Sequence, residues 1–221
     1  MPSIRDRLKT IIDRLPEGVT LVAVSKFHSA EAVREAYDAG QRVFGESRAQ
    51  ELVAKAPQLP ADVEWHFIGH LQTNKVAMVV PVASLIQSVD SVKLLTAIDR
   101  EAAKIGKVQD VLIQLHVALE ETKFGFSADE IPDAVNAAMG LANVRLRGVM
   151  AMATNTDDVG RIAADFSQAR RTFGVAKSLL PYGSREGFDI LSMGMSDDFP
   201  IAVENGSTMV RIGTDIFGQR Q

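Results

Sequence analysis

Residues 21–26 read LVAVSK and are followed by FHS. Leu21 to Val24 form an uninterrupted apolar run, which describes a strand covered on both faces. A strand with one wet face would alternate apolar with polar residues. The run ends on Lys26, a residue type that is costly to place beside a core.

The same pattern recurs along the chain. Further candidate strands are QRVFGES (41–47), VEWHFIG (63–69), LIQSVD (85–90), DVLIQLHV (110–117), VRLRGVMAM (144–152), DILSMG (189–194) and TMVRIGTDIF (208–217). Helical periodicity fills the intervals. A leading helix from about Ser3 to Leu15 carries Ile4, Leu8, Ile11, Ile12 and Leu15 on one stripe. SVKLLTAIDREAAKIG aligns Leu94, Leu95, Ile98, Ala102 and Ile105, with Ser91 to cap its start and Gly106 to stop it. Ser127 and Glu130 have capping-box spacing, with Pro132 in the first turn. Val159, Ile162, Ala163, Phe166, Ala169 and Phe173 keep a helical period over 159–173. Eight strands separated by helix-length connections predict an α/β chain folded as a single (β/α)8 TIM barrel with an extra N-terminal helix. A doubly wound open sheet is the competing topology.

Composition narrows the function. The 221 residues are 46% hydrophobic and 24% charged with a net charge of −4, which offers no basic footprint for nucleic acid or membrane. No apolar run approaches the roughly 20 residues of a membrane span. MPSIRDRLKTIIDRL scatters its charges among apolar positions, unlike a signal peptide. The absence of cysteine excludes disulfides, thiolate catalysis and cysteine-bound metals. A cytoplasmic location is expected.

Barrel sites lie at the C-terminal ends of the strands. There the sequence places Lys26, Gly45-Glu46-Ser47, Gly69-His70, Ser192-Met193-Gly194 and Arg211-Ile212-Gly213-Thr214. Lys26 has two readings: a lysine that snorkels to solvent or pairs with Glu46, or a Schiff-base nucleophile of the kind used by aldolases and pyridoxal phosphate proteins. Arg211 ahead of a Gly-Thr turn, with Ser192 nearby, suits a phosphate cradle; the alternative is an ordinary strand-ending turn with a structural arginine. His66 and His70, four apart on a strand, lie roughly 13 Å apart at ~3.3 Å per residue, so a shared metal is not expected. His66 reads as an interior hydrogen-bonded residue and His70 as a rim or turn residue. Met150, Met152, Met193 and Met195 read as core filler near the mouth, and Trp65 as packing against a helix.

VSKFH (24–28), VFGESRAQE (43–51), WHFIGHLQTNK (65–75), LRGVMAM (146–152) and LSMGMSDDFPIAVENGSTMVRIGTDIFG (191–218) occur in this order. Together they resemble the pyridoxal phosphate homeostasis proteins, over Leu21 to Gly218. The resemblance implies one barrel of the alanine racemase N-terminal type, without the racemase's second domain. It also implies that Lys26 holds pyridoxal 5′-phosphate as an internal aldimine and that Arg211 approaches the ring nitrogen. Ser192, Gly213 and Thr214 then fall at the phosphate. Where the family usually has FGEN, this chain has FGES, so any cofactor contact through Ser47 lacks the amide's paired donor and acceptor.

An arginine at the pyridine nitrogen disfavours the pyridinium form and with it carbanion chemistry. Racemisation needs an acid/base on each face of the substrate, and the two tyrosines, Tyr37 in a helix and Tyr182 in a late loop, are not at strand ends. The expected function is a non-catalytic pyridoxal phosphate-binding protein that buffers the cofactor or delivers it to apo-enzymes, so adjusting amino-acid and keto-acid balance. A monomer is expected, because the racemase dimer relies on the domain absent here. The alternatives are a monomeric pyridoxal phosphate-dependent racemase or lyase and, far behind, a Schiff-base aldolase.

Overall fold

The computed structural model describes residues 2–119 and 124–218. Eight parallel strands close into a barrel in chain order: β1 (Thr20–Val24), β2 (Val43–Glu46), β3 (Glu64–Phe67), β4 (Leu85–Val89), β5 (Gln109–Leu115), β6 (Val144–Ala151), β7 (Ile190–Ser192) and β8 (Met209–Ile212). Closure is made by β1 against β8, with Thr20 opposite Met209 and Ala23 opposite Ile212. A closed sheet has no unpaired edge, and the open-sheet alternative is thereby replaced.

Helices follow the strands on the outside: α1 (Ile4–Ile12) ahead of β1, then α2 (Ala30–Asp38), α3 (Ala49–Lys55), α4 (Val76–Val79), α5 (Val92–Lys104), α6 (Ile131–Met139), α7 (Val159–Leu179), α8 (Phe199–Glu204) and α9 (Thr214–Phe217). Their ends follow local chemistry. Ser3 and Asp6 form a reciprocal capping box at α1. The Ser91 hydroxyl accepts the Leu94 N–H at α5, and Asp158 accepts the Arg161 N–H at α7. Ser127 and Glu130 do form a capping box, on a 3-10 turn that leads into α6 at Pro132. α1 buries Ile4, Leu8 and Ile11, and its Arg7 Nε donates to the Ile216 carbonyl of α9 at 2.7 Å. The extra helix thus covers the seam between the first and last units.

Three expected boundaries shift. α5 stops at Lys104 and leaves Ile105 exposed, with Gly106 at φ +63 turning the chain out of the helix. α7 runs on to Leu179, although its first residue, Val159, is exposed. The final apolar run is strand only to Ile212; Gly213 (φ −121, ψ −69) breaks the extended path and Thr214–Phe217 is helical.

Most of the core lies between the strands' outward faces and the helices, where Phe44, Phe67, Phe166 and Phe188 are fully buried. Trp65 belongs to that layer, 5.9 Å from the Phe44 ring. Val22, Leu85, Leu112, Met150 and Met209 fill the lumen. Period-two alternation then puts Val24, Gln87, Ser192 and Arg211 on the lumen side as well.

Candidate functional site

Along β1 the lumen-facing residues are Val22 and Val24, and the next in that register is Lys26, two residues past the end of the strand. Lys26 borders a cavity of about 250 Å³ at the C-terminal mouth of the barrel. Ser47 after β2, Arg211 in β8, and Gly213 and Thr214 after it share the same wall. Five of the six residues singled out from sequence therefore meet in one cavity.

Ser192 is the exception. Its hydroxyl is fully buried beneath the mouth, accepts Arg211 Nη1 at 2.7 Å and donates to Gln87 Oε1 at 2.6 Å. The serine of LSMGMS that borders the cavity is Ser196. Gly194, at φ +97 with Phe199 Cα 2.9 Å from any added Cβ, turns the chain so that Met195 and Ser196 reach the mouth. A glycine between two serines was the available signal.

The peptide groups on both sides of Lys26 are held from outside the barrel. Lys55, buried at the end of α3, donates to the Ser25 carbonyl at 2.9 Å, to Glu46 Oε1 at 2.7 Å and to Glu51 Oε2 at 3.0 Å. Glu51 Oε2 also accepts the Phe27 N–H at 2.8 Å. Ser25 Oγ donates to Glu46 at 2.7 Å. Glu46 thus serves Lys55 and Ser25, and the ion pair with Lys26 weighed from sequence is not the one formed. Burial pushes the Glu46 carboxyl upward, opposed by its bonds to Lys55 and Ser25. Phe27 takes φ +66, a left-handed conformation that a bulky side chain rarely adopts.

Arg211 is 4% exposed, with Nη2 donating to the Ala151 carbonyl at 3.0 Å. Burial pushes its pKa down to about 10, against the pull of Asp198, so the guanidinium keeps its charge at neutral pH. At Gly213 the end of β8 approaches β1 so closely that an added Cβ would meet the Val24 carbonyl oxygen at 3.0 Å. Helix α9 starts immediately after it, and its first N–H groups precede the helix's own ladder of bonds.

Other expectations are met or refined. His66 is interior and bonded to Gln87 at 2.9 Å. His70 lies on the rim, bonded to Asp90 at 2.8 Å and stacked on Phe124. Met150 and Met193 are buried, whereas Met152 and Met195 line the cavity. The Tyr37 hydroxyl donates to Asp62 at 2.7 Å, and Tyr182 is 86% exposed. Both tyrosines occupy segments that lead into strands, at the barrel end opposite Lys26. His28, unremarked in FHS, and Asp197 are the further titratable groups in the cavity wall. The mouth continues past Met152 and Met195 into a groove of about 410 Å³. A groove of about 460 Å³ at the other end of the barrel, beside Leu141 and Leu180, lacks a comparable set of groups.

The family model of the alanine racemase N-terminal domain matches residues 1–221. The pyridoxal phosphate homeostasis protein of Pasteurella multocida is 39% identical over 210 residues, covering 94% of this chain and 89% of its own. That of Escherichia coli strain K12 is 38% identical over 228 residues, covering 100% and 95%. PipY of Synechococcus elongatus, solved with PLP bound, superposes with a TM-score of 0.88 at 37% identity, covering 98% of this chain and 100% of its own. Alanine racemase of Corynebacterium glutamicum shares the fold (TM-score 0.76, 14% identity) while this chain spans 61% of it. By sequence and by architecture, the chain belongs to the pyridoxal phosphate homeostasis proteins, a branch of the alanine racemase N-terminal-domain family.

Proposed function

We propose that this chain binds pyridoxal 5′-phosphate in the barrel mouth and serves as a cytoplasmic reservoir of it, handing the cofactor to apo-enzymes. One observation carries the reading: an amine, a buried guanidinium and a Gly-Thr turn at a helix start converge on a single cavity of about 250 Å³. Those three groups match an aldehyde, a ring nitrogen and a phosphate. The close approach of Gly213 to Val24 leaves no room for a side chain where the Gly-Thr turn meets β1. The family relatives named for pyridoxal phosphate homeostasis support the same assignment.

When bound, pyridoxal 5′-phosphate supplies an electrophilic aldehyde carbon joined to a ring that can accept electron density. Lys26 is the amine that holds the aldehyde as a Schiff base. Arg211 donates toward the ring nitrogen and, having no acceptor, withholds the proton that would make the ring a strong electron sink. Gly213 and Thr214 bind the phosphate through backbone N–H groups and the Thr214 hydroxyl, joined by Ser196 in place of Ser192. Ser47 borders the site with a hydroxyl where relatives usually present an amide.

The whole chain acts as one binding domain and as a monomer, which light scattering tests. No described helix is long and apolar enough to cross a membrane, and the net charge of −4 gives no basic surface for nucleic acid. A second reading, a racemase or lyase, is favoured by His28 and Asp197 in the same wall. Both readings require a visible absorption band on adding the cofactor, bleached by borohydride, with the reduced adduct on Lys26. A colourless mixture overturns both. Steady exchange of an amino acid's Cα hydrogen for deuterium would select the enzyme, and its absence the reservoir.

A further inference from the structure

Four buried side chains cross the barrel lumen in one continuous hydrogen-bond chain. Arg211 Nη1 reaches Ser192 Oγ at 2.7 Å, Ser192 Oγ reaches Gln87 Oε1 at 2.6 Å, and Gln87 Nε2 reaches His66 Nδ1 at 2.9 Å. The chain starts at the mouth cavity and ends at His66, which lines a smaller cavity of about 220 Å³ at the opposite end. All four residues are at most 4% exposed.

The direction of every bond follows from its first member. Arginine has donors and no acceptor, so Ser192 must accept from it and send its own hydrogen to Gln87. That fixes the amide with its oxygen toward Ser192 and its nitrogen toward His66. The second amide hydrogen goes to Met209 Sδ at 3.2 Å, so each polar atom of Gln87 is used. His66 must therefore accept at Nδ1 and carry its proton on Nε2, which fits a ring that burial keeps neutral, with a pKa near 4. Turning the amide over would leave the Ser192 hydrogen without an acceptor in a dry interior, and groups in such chains polarise one another.

We propose that Gln87 is the positioning residue for Arg211: acting through Ser192, it fixes the guanidinium at the mouth and ties that placement to the tautomer of His66 at the far end of the lumen. This rests on Arg211 facing the cofactor's ring nitrogen. Gln87 is the member able to do so, because its side chain crosses the lumen from β4 to meet β3, β7 and β8 at once.

Two measurements test this. In the cofactor-free protein, nitrogen NMR should find His66 protonated on Nε2 and bare at Nδ1. With cofactor, Gln87→Leu should lower affinity about tenfold and move the absorption band, at an unchanged near-ultraviolet circular dichroism spectrum. Gln87→Glu still accepts from Ser192, so it should restore both affinity and band while moving the His66 proton to Nδ1. A wild-type His66 protonated on Nδ1 overturns the proposal, as does a Leu variant with wild-type affinity and band. If Gln87→Leu does not fold, the wild-type tautomer decides. Should the wild type develop no band at all, the cofactor assignment fails, whereas the His66 tautomer still judges the chain.

Discussion

Glu51 accepts the N–H of Phe27 at 2.8 Å, tying α3 to the peptide that follows Lys26. The same carboxylate oxygen takes the Lys55 ammonium, which also grips the carbonyl that precedes Lys26. One ion cluster thus holds both flanks of Lys26. Glu51→Ala should cost about 1 kcal/mol in urea unfolding, the loss of an exposed bond to Phe27 and a part-buried one to Lys55, which keeps its other acceptors. Glu51→Gln keeps an oxygen for Phe27 and should retain more of the cofactor affinity. Equal affinity in the two variants would show that the clamp does not position Lys26.

Phe27 holds φ +66 at a cost of about 1–2 kcal/mol for an L-residue. A β-branched replacement tolerates this backbone least and glycine most. Phe27→Val should lose about 1–2 kcal/mol in urea unfolding relative to Phe27→Gly. Matching stabilities would mean that the cluster does not enforce the turn.

Gly213→Ala would set a methyl group 3.0 Å from the Val24 carbonyl oxygen, against backbone that has little room to move. Stability should fall by about 1–3 kcal/mol. Affinity for pyridoxal 5′-phosphate, read by absorbance titration, should fall about tenfold or more. Wild-type affinity in this variant would remove Gly213 from the phosphate site.

Acid stability should carry the signature of His66. Its folded pKa of about 4 lies below the ordinary 6.5, so the unfolded chain binds this proton first. Stability from His66 is complete above 6.5 and is lost as the pH falls toward 4, about 3 kcal/mol in all. Glu46 acts in the opposite sense: burial raises its carboxyl, so its contribution is lost as pH rises through the folded value. His66→Asn keeps an acceptor for Gln87 and cannot titrate. The advantage of wild type over this variant in urea unfolding should shrink by about 3 kcal/mol between pH 7 and pH 4. A constant difference contradicts the assignment.

Ser47 lines the cavity, and its backbone runs so close to Gly69 that a Cβ added there would collide with the Ser47 carbonyl oxygen. Ser47→Asn adds an amide to the cavity wall. Affinity measured by absorbance titration should rise several-fold, about the worth of one hydrogen bond. Unchanged affinity would place this side chain out of the ligand's reach.

The barrel was legible because buried strands and amphipathic helices alternate with clear periods, and because Lys26 and Arg211 stand at strand ends where lumen parity can be counted. The strands stop short of Lys26, Gly69 and Phe217, at Val24, Phe67 and Ile212, because residue type alone does not show where the ladder of strand bonds ends. That Ser196 rather than Ser192 borders the cavity is not visible in strand parity, which does not reveal the turn that Gly194 makes. Gln87 in LIQSVD and Lys55 belong to no motif that local patterns single out. Their roles depend on partners 105 and 30 residues away, which no local pattern encodes.

The Lys55 cluster grips the peptides on either side of Lys26 from the outer side of the sheet, while Lys26 itself borders the cavity at the mouth. Grip and pocket chemistry are consequently independent variables. Substitutions along α3 can therefore shift the backbone beside Lys26 without altering any residue that lines the cavity. The seating of Lys26 can thus change over time while the residues of the cavity wall stay the same.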